Sequence, residues 1–564
     1  MGSSKPAIFA REATGLVREV GFMLGVIIIL SHVVGLGWQK RAFQFTGPKP
    51  VPTDMLPLGL PAIFWAFLIC GVIVMITGYA AGYVTAAMPR SGGGYVTISR
   101  VLHPFVGYNA GWLMFLAEAF SYGLIGVAVF EAIMIFFNIA GIAIAFDAMT
   151  LFLGGVVIIA IFTALALFGV RLYGWIMHAM FWPTLVITIG FFAMWIAGAM
   201  DPSIVATGVE TALGAPPSVF MTQAINSGMI DPANIATFSD AFSFALAGAF
   251  WAYMGWYSVT FIAGEIKEAN KKLPKVVVVS GLIIMLVYLG ASSFSAISTM
   301  SVTPTTDGKW SFFQAYSWLS YGPLTDAQIA ARDAAIPNFQ SAWSTGIASI
   351  IAQGMGLGWL SLAIAVAGVL WLANDIPPFL LVASRTMFAM SFDRMMPEKI
   401  AEVSERWHSP TWAIIITGLF GIIGCIAEAN PVIGDIALGE YVAFAGVVGT
   451  DIYDAIFLTL FCVSCMLLAL ERKEIYDRAA VKHSVGTVVG LGAIATLLAG
   501  YCLFTFVKES VGFIFAPASI GDLASCLGFW GCIAVGALLY IGYMYRNTTK
   551  GIDMRTLYLS IPPE

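Results

Sequence analysis

Apolar stretches alternate with short polar segments along almost the whole chain. About 20 apolar residues let a helix cross the hydrocarbon core of a bilayer, and the pattern predicts twelve such spans, at 20–43, 61–87, 104–137, 148–169, 174–199, 238–264, 276–299, 359–390, 411–428, 441–470, 484–507 and 524–546. Two longer polar stretches, 200–237 and 300–358, interrupt the series. Within the second, 326–335 has a helical pattern, and the apolar piece 343–355 is too short to cross, so we expect a partly buried outer helix there.

The composition indicates that these segments face lipid. Of the 564 residues, 59% are hydrophobic and 10% are charged, whereas a soluble domain carries about 25% charged residues. The chain is therefore interpreted as one all-α integral membrane domain whose surroundings are the lipid bilayer. The formal charge is −5 without a basic run, so we expect no nucleic-acid partner. The sequence leaves the oligomeric state open.

Lysine and arginine positions set the orientation. With a cytoplasmic N-terminus, 21 of the 27 lysines and arginines fall on the inner side and six on the outer side. Such an excess is typical of cytoplasmic loops, and one missed span would invert every later loop. We expect a plasma-membrane protein with both termini in the cytoplasm. Its predicted parts are an N-terminal segment 1–19, a first five-helix repeat 20–199, an outer loop 200–237, a second repeat 238–470, two last helices 471–546 and a tail 547–564.

Glycines interrupt the first and the sixth spans. The first contains Val34-Gly35-Leu36-Gly37, and the sixth contains Ala252-Tyr253-Met254-Gly255-Trp256. Transporters place substrate near the midplane, where two such helices unwind and expose backbone groups. Because five spans separate the breaks, the second block enters from the opposite side, which gives an inverted repeat. N–H groups after Gly35 would hold a carboxylate, and carbonyls of the sixth span would hold an ammonium. The alternative is that the glycines only allow close packing.

Further motifs carry a resemblance to a known family. They are Pro89-Arg90-Ser91-Gly92-Gly93-Gly94-Tyr95, Gly264-Glu265-Ile266-Lys267, Leu273-Pro274-Lys275, Ser384-Arg385, Asp393-Arg394-Met395-Met396-Pro397 and Ser409-Pro410. With the two breaks, they resemble the amino acid–polyamine–organocation permeases over residues 20–410. That family has the LeuT-type five-plus-five fold; the last two helices match it only by count. Gly255-Trp256 with Glu265 is most similar to L-type neutral amino acid transporters. The resemblance thus implies a neutral amino acid as substrate.

Two departures from the family pattern concern the coupling ion. Where several proton-coupled members have a lysine in the fifth helix, this chain has Thr184, and where a small hydroxyl residue is usual in the eighth helix, it has Asp375. Two coupling cations are considered. One is a sodium ion near Val33, Thr184 and Asp375, and the other is a proton on Asp375. A purely structural pairing of Asp375 is the alternative. No other cofactor is expected.

Other ionisable and aromatic residues are candidates because intramembrane charges are costly. His32, in the first break, is expected to titrate, to contact the substrate, or to donate to a carbonyl of the unwound segment. Glu118, in the third span, would meet an ammonium and favour a cationic substrate, or is a hydrogen-bonded interior carboxyl. Tyr253 and Trp256 are the predicted side-chain contacts of the substrate, or aromatics of a packed bundle.

Gates are expected at both ends of the path. Glu265 is predicted to pair with Arg90, Arg100 or Arg385 at the inner gate, or to anchor the topology by a salt bridge. Lys40 and Arg41 are candidates on the outer half of the first span.

These features predict a secondary transporter that moves amino acids by alternating access, most simply by cation-coupled symport of a neutral amino acid. An exchanger, a polyamine or cationic amino acid carrier, and a solute sensor on the same scaffold are the alternatives. The chain lacks a GxxxxGK[ST] motif and the HExxH and GxSxG motifs, so neither a nucleotide-driven pump nor an enzyme is expected.

Overall fold

A computed structural model describes residues 9–142, 144, 147–302 and 308–563. The first eight residues of the predicted segment 1–19, and residue 564 of the predicted tail, lie outside this description.

The described chain is predominantly helical. The helices of its first half are α1 Phe22–Val33, α2 Leu36–Gln44, α3 Ala62–Ala87, α4 Gly93–Val101, α5 Pro104–Ile139, α6 Ala148–Ala166, α7 Val170–Met200, α8 Pro202–Leu213, α9 Pro217–Asn226, α10 Phe238–Tyr253 and α11 Ala269–Met300. Those of its second half are α12 Phe312–Tyr321, α13 Asp326–Ala335, α14 Ser344–Gly354, α15 Gly358–Phe392, α16 Thr411–Ala429, α17 Leu438–Tyr441, α18 Val447–Glu471, α19 Lys473–Arg478, α20 Val485–Glu509, α21 Val511–Phe515, α22 Ile520–Thr549 and α23 Met554–Leu559.

Short elements complete the secondary structure. One antiparallel hairpin pairs β1 Val432–Ile433 with β2 Ile436–Ala437. The 3-10 turns are Thr53–Met55, Pro57–Gly59, Ser258–Phe261, Ala263–Glu265, Glu398–Ala401 and Ala443–Ala445.

Eleven helical stretches within the described residues are long and apolar enough to cross a membrane, which confirms an all-α membrane protein. The first of them joins α1 and α2. The predicted sixth span, 238–264, does not qualify because α10 ends at Tyr253 after 16 residues and the chain continues as 3-10 turns. In the joined α1–α2 segment 83% of the most apolar window is buried, against 22% in α6 and 17% in α22. The broken helices therefore lie at the centre of the bundle.

The long loops are themselves helical. The stretch predicted as a helix, 326–335, is α13, and the short apolar piece 343–355 contains α14. Nine of the eleven residues of α14 are buried, so this helix is integrated into the bundle more deeply than the partly buried position expected for it. Helices α8 and α9 occupy the loop 200–237.

Candidate functional site

The first break lies where the sequence predicted it. Helix α1 ends at Val33, Gly35 is non-helical with φ −107° and ψ −107°, and α2 begins at Leu36. The first N–H groups of α2 consequently have no carbonyl partner within their own helix and carry the positive end of its dipole. The Asp375 carboxyl of α15 lies directly over Gly35, where any side chain would collide with it.

The second break follows α10. Gly255 adopts φ +91°, a conformation that L side chains rarely take. A Cβ at this position would lie 2.7 Å from the His32 ring, so both the backbone angle and the neighbouring imidazole require glycine. The two breaks are thus in direct contact, with His32 of the first against Gly255 of the second.

Hydrogen bonds from other helices hold the breaks together. The hydroxyl of Tyr288 in α11 lies within hydrogen-bond distance of the Val33 carbonyl and of the Ala252 carbonyl, at 2.6 Å from the latter. These carbonyls stand at the ends of α1 and α10, where helical partners are missing. From α15, the Asn374 amide donates to the Ser31 hydroxyl at 2.7 Å.

A cavity of about 40 Å³ lies between the breaks. Its lining comes from both broken helices and from α5, α15 and α18, namely His32, Val33, Leu36, Gly37, Ala117, Glu118, Ser121, Leu124, Ile125, Trp251, Ala252, Met254, Gly255, Asp375, Phe379, Thr450, Asp451 and Asp454. A water molecule requires about 10–15 Å³ of such space. The cavity therefore has room for about three waters, which is less than even a small amino acid needs.

Four carboxyl groups line this small cavity. Glu118 and Asp375 were expected, but Asp451 and Asp454 of α18 were missed, although both are intramembrane acids spaced i, i+3 on one helix face. The Asp454 carboxyl accepts a hydrogen bond from the Tyr257 hydroxyl, in the unwound segment after α10. The opposing basic group in the lining is His32.

His32 and Glu118 form the closest acid–base pair of the lining. The Nε2 atom of His32 lies 3.3 Å from an Oε2 atom of Glu118, and both side chains are buried. Neither ring nitrogen of His32 makes a well-formed hydrogen bond to the described residues. The ring packs edge to face on Phe379, with centroids 4.2 Å apart. The separation is short enough for a proton to pass between imidazole and carboxyl.

Two side chains predicted to contact the substrate, Tyr253 and Trp256, point away from the cavity. The Tyr253 hydroxyl donates to the Phe67 carbonyl of α3 at 3.0 Å. The Trp256 indole packs against Gly78 of the same helix. These two aromatics, with Val34 and Gly35, are absent from the lining, whereas Leu36, Gly37, Ala252, Met254 and Gly255 belong to it. The break itself was visible in the sequence, but the direction of its side chains was not.

Two of the three residues proposed for a sodium site have hydrogen-bond partners, whereas the buried Asp375 Oδ1 has none among the described residues. The Thr184 hydroxyl donates to the Met180 carbonyl of its own helix at 2.6 Å, and the Val33 carbonyl faces Tyr288. Among the described residues, no group of three or more His, Cys, Asp or Glu side chains is arranged to hold a metal ion. The carboxyls of the cavity line its wall without converging on one point.

Of the three predicted gating residues, Glu265 and Arg385 meet. Arg385 donates from Nε to one carboxylate oxygen of Glu265 at 2.9 Å and from Nη2 to the other at 3.1 Å. Both side chains are at most 2% exposed. Arg90 instead donates to the Pro562 carbonyl of the tail, and Arg100 pairs with Asp393 at 2.5 Å. The Glu265–Arg385 pair thus joins the unwound segment after α10 to α15, next to Val20 just before α1.

Cationic side chains of α2 cover the opposite side. The guanidinium carbon of Arg41 lies 3.6 Å from the ring centre of Trp251, which lines the cavity. Lys40 approaches Glu131 to 3.5 Å. Arg41 therefore lies against a side chain that lines the cavity.

A cavity lined by acidic side chains between two broken helices, in a bundle of membrane helices, is typical of a solute permease. The family model of amino acid permeases matches residues 24–523, and the chain belongs to that family. This confirms the resemblance to the amino acid–polyamine–organocation permeases, and it places the chain among transport proteins and not among enzymes.

Individual relatives are distant. The chain is 22% identical to the b(0,+)-type amino acid transporter 1 of Mus musculus over 280 residues, which are 49% of this chain and 51% of the relative. It is 22% identical to an uncharacterized transporter of Mycobacterium tuberculosis over 431 residues, covering 76% and 78%. It is 25% identical to the branched-chain amino acid permease BcaP of Bacillus subtilis over 211 residues, covering 37% of each. The chain thus spans about half the length of the mouse relative.

Proposed function

We propose that this chain is a proton-coupled amino acid permease that works by alternating access. The observation that carries the proposal is the cavity lined by four carboxyls and one imidazole, enclosed between two helix breaks. The names of the mouse and Bacillus relatives, both amino acid transporters, support the solute class.

The proposed architecture has twelve spans in a five-plus-five inverted repeat, followed by two helices. Support comes from the eleven qualifying stretches together with the broken α10 segment. The two breaks occupy the first span of each five-helix block, as an inverted repeat requires. Both termini are proposed to be cytoplasmic, on the charge bias, and the membrane to be the plasma membrane.

A neutral amino acid fits the polarity of the two breaks. Its carboxylate would approach the N–H groups of Leu36 and Gly37 at the start of α2. Its ammonium would approach the end of α10 near Ala252 and the carboxyls of the cavity. The present 40 Å³ must expand to admit it, which requires opening on one side.

The coupling cation is proposed to be the proton. A buried carboxylate without a compensating cation costs several kcal/mol. Because the four carboxyls share one imidazole in the lining, uptake of protons is favoured when no ammonium is bound. Asp454 bonds Tyr257, and Glu118 lies beside His32, so protonation alters contacts of both broken helices. Binding and release of a proton would then bias which side opens.

Purified protein in liposomes tests the proposal. Labelled neutral amino acids are expected to accumulate when an inward proton gradient is imposed and not when a sodium gradient is imposed. Binding without uptake under every gradient would indicate a sensor, and accumulation driven only by sodium would refute proton coupling. Uptake that requires an amino acid inside the vesicle would indicate an exchanger.

The excess of acids favours one second candidate, a carrier of cationic amino acids or polyamines. Glu118→Gln distinguishes the two, because loss confined to solutes with a side-chain amine would show that Glu118 binds that amine. Equal loss for neutral solutes would assign Glu118 to the α-ammonium or to the proton.

A further inference from the structure

Two adjoining clefts open on the side of the bundle where α7 begins. Their volumes are about 690 and 400 Å³, and both are lined by Glu19, Val170, Arg171 and Trp175. We propose that this continuous surface, here named the α7 cleft, binds an anionic phospholipid from the leaflet on the N-terminal side. Its aromatic and basic lining also includes His178, Trp182, Lys267, Arg406 and Trp407.

Aromatic side chains of the cleft are exposed as in a membrane-interface belt. Trp175 is 68% exposed, Trp182 is 44% exposed and Trp407 is 38% exposed. Tryptophan is enriched at the depth of lipid headgroups because its ring is apolar and its N–H is polar. Three such residues around one cleft place it at the boundary between headgroups and acyl chains.

Cations of the cleft supply the charge that an anionic headgroup requires. Arg171, Lys267 and Arg406 are exposed. None of their side chains has an ion pair or hydrogen bond among the described residues, although Arg406 stacks over Trp407 at 4.6 Å. One carboxylate, Glu19, opposes them. Basic pockets between membrane helices on this side of a bilayer bind anionic headgroups.

The surface continues into hydrocarbon along one face of α7. Arg171, Trp175, His178 and Trp182 follow helical spacing, and Val186 and Ile189 extend the same stripe. Val186 is 66% exposed and Ile189 is 71% exposed. Along this stripe, basic residues come first, tryptophans follow and aliphatic residues lie beyond them. This order matches the headgroup, interface and acyl chains of a phospholipid better than it matches a soluble anion.

Backbone bonds connect the cleft with the inner ion pair. Lys267 donates its N–H to the Val20 carbonyl at 2.9 Å, and Val20 donates to the Glu265 carbonyl at 3.0 Å. Glu265 holds Arg385. A lipid that fixes this strand-like contact stabilises the closed inner side, whichever solute is carried.

Tryptophan quenching tests the proposal. The full chain in mixed micelles is titrated with dibrominated phosphatidylglycerol or dibrominated phosphatidylcholine, and quenching is expected at lower concentration for phosphatidylglycerol. The triple variant Arg171→Gln, Lys267→Gln and Arg406→Gln is expected to weaken this affinity on the order of 100-fold. The matched control, Lys482→Gln, Lys550→Gln and Arg555→Gln, removes the same charge from exposed positions elsewhere and is expected to keep the wild-type affinity.

Several outcomes would overturn the proposal. They are equal quenching by the two lipids, an equal loss of affinity in the control variant, and displacement of the lipid by millimolar inorganic phosphate, which would assign the cations to a free anion. If the triple variant does not fold, Trp175→Phe serves in its place. It is expected to remove much of the phosphatidylglycerol-specific quenching, and unchanged quenching would place the lipid elsewhere.

Discussion

The carboxyl of Asp454 contacts two parts of the site at once. It lines the cavity beside Glu118 and accepts the hydrogen bond of Tyr257 from the unwound segment. A group that both faces the solute and holds a broken helix can change the conformation when it gains or loses a proton. Asp451 and Asp454 could have been found by applying to span 441–470 the intramembrane-charge argument that selected Asp375. The direction of Tyr253 and Trp256, by contrast, depends on packing against α3.

Asp454→Asn is expected to lower proton-driven accumulation about tenfold or more, because the amide keeps the size of the side chain but cannot release a proton at working pH. Exchange of internal for external amino acid should persist. Both are measured with labelled solute in liposomes. Asp522→Asn, at the half-buried N-terminal cap of α22, is the control and should behave as wild type. Wild-type gradient dependence in Asp454→Asn would remove this residue from the coupling.

Gly255→Ala is expected to reduce transport about tenfold or more while the protein still inserts and folds. The new methyl group meets the His32 ring at 2.7 Å, and φ of +91° strains any L residue. Gly190→Ala is the matched control, since no atom lies within 4 Å of a Cβ built there. Initial uptake rates at equal reconstituted amounts make the comparison. Equal rates in the two variants would contradict the close approach of the breaks.

At the scale of elements, periodicity predicted the membrane helices well because their apolar composition follows directly from the bilayer. The helix predicted over 326–335 has the same bounds as α13, and the third span, 104–137, differs from α5 by two residues at one end. The separate helix α4 and the end of α10 were harder to place. Their apolar residues continue across the interruptions, and the unwinding at Tyr253 is stabilised by contacts from distant helices, such as Tyr288.

The inner ion pair joins the unwound segment to α15. Arg385→Gln leaves the Glu265 carboxylate buried without a cation, which costs about 3–5 kcal/mol, so the closed inner side is expected to open more easily. In a thermal scan with a thiol-reactive dye, which reports exposure of the mostly buried cysteines, the midpoint should fall. Lys473→Gln breaks an exposed pair with Asp477 and should leave the midpoint unchanged. Equal midpoints in both variants would show that the buried pair does not stabilise this conformation.

Over the whole molecule, the C-terminal tail returns to the bundle. Arginines from three separate segments donate to its carbonyls, Arg90 to Pro562 at 2.6 Å, Arg100 to Ser560 at 3.5 Å and Arg472 to Leu559 at 3.0 Å. Its side chains Leu557 and Tyr558 are buried. The tail thus connects α4, the loop before it and the end of α18.

Truncation after Gly551 is expected to lower the thermal midpoint by several degrees and to raise the rate of solute exchange, because the arginines lose these carbonyl partners. Arg555→Gln, an exposed change within the same tail, should alter neither quantity. Midpoint and exchange rate are measured on the same preparations. A truncated chain with wild-type values would show that the tail only rests on the bundle.

The proposed orientation predicts opposite accessibility for two loops. A cysteine introduced as Lys49→Cys should react with an impermeant maleimide in intact cells, whereas Lys550→Cys should react only after the membrane is permeabilised. The natural cysteines are buried or half-buried, so the background labelling is low. Labelling of both positions in intact cells would refute the odd number of crossings between them.

The 40 Å³ cavity has a consequence for the hydration of the protein. The closed form has room for about three waters, whereas any open form must have a larger hydrated vestibule. Each transport cycle therefore takes up water on opening and releases it on closing. An impermeant osmolyte withdraws water from compartments that exclude it and is therefore expected to favour the closed form. Solute flux should fall as osmotic pressure rises, and the slope of its logarithm would count the waters that move with each opening.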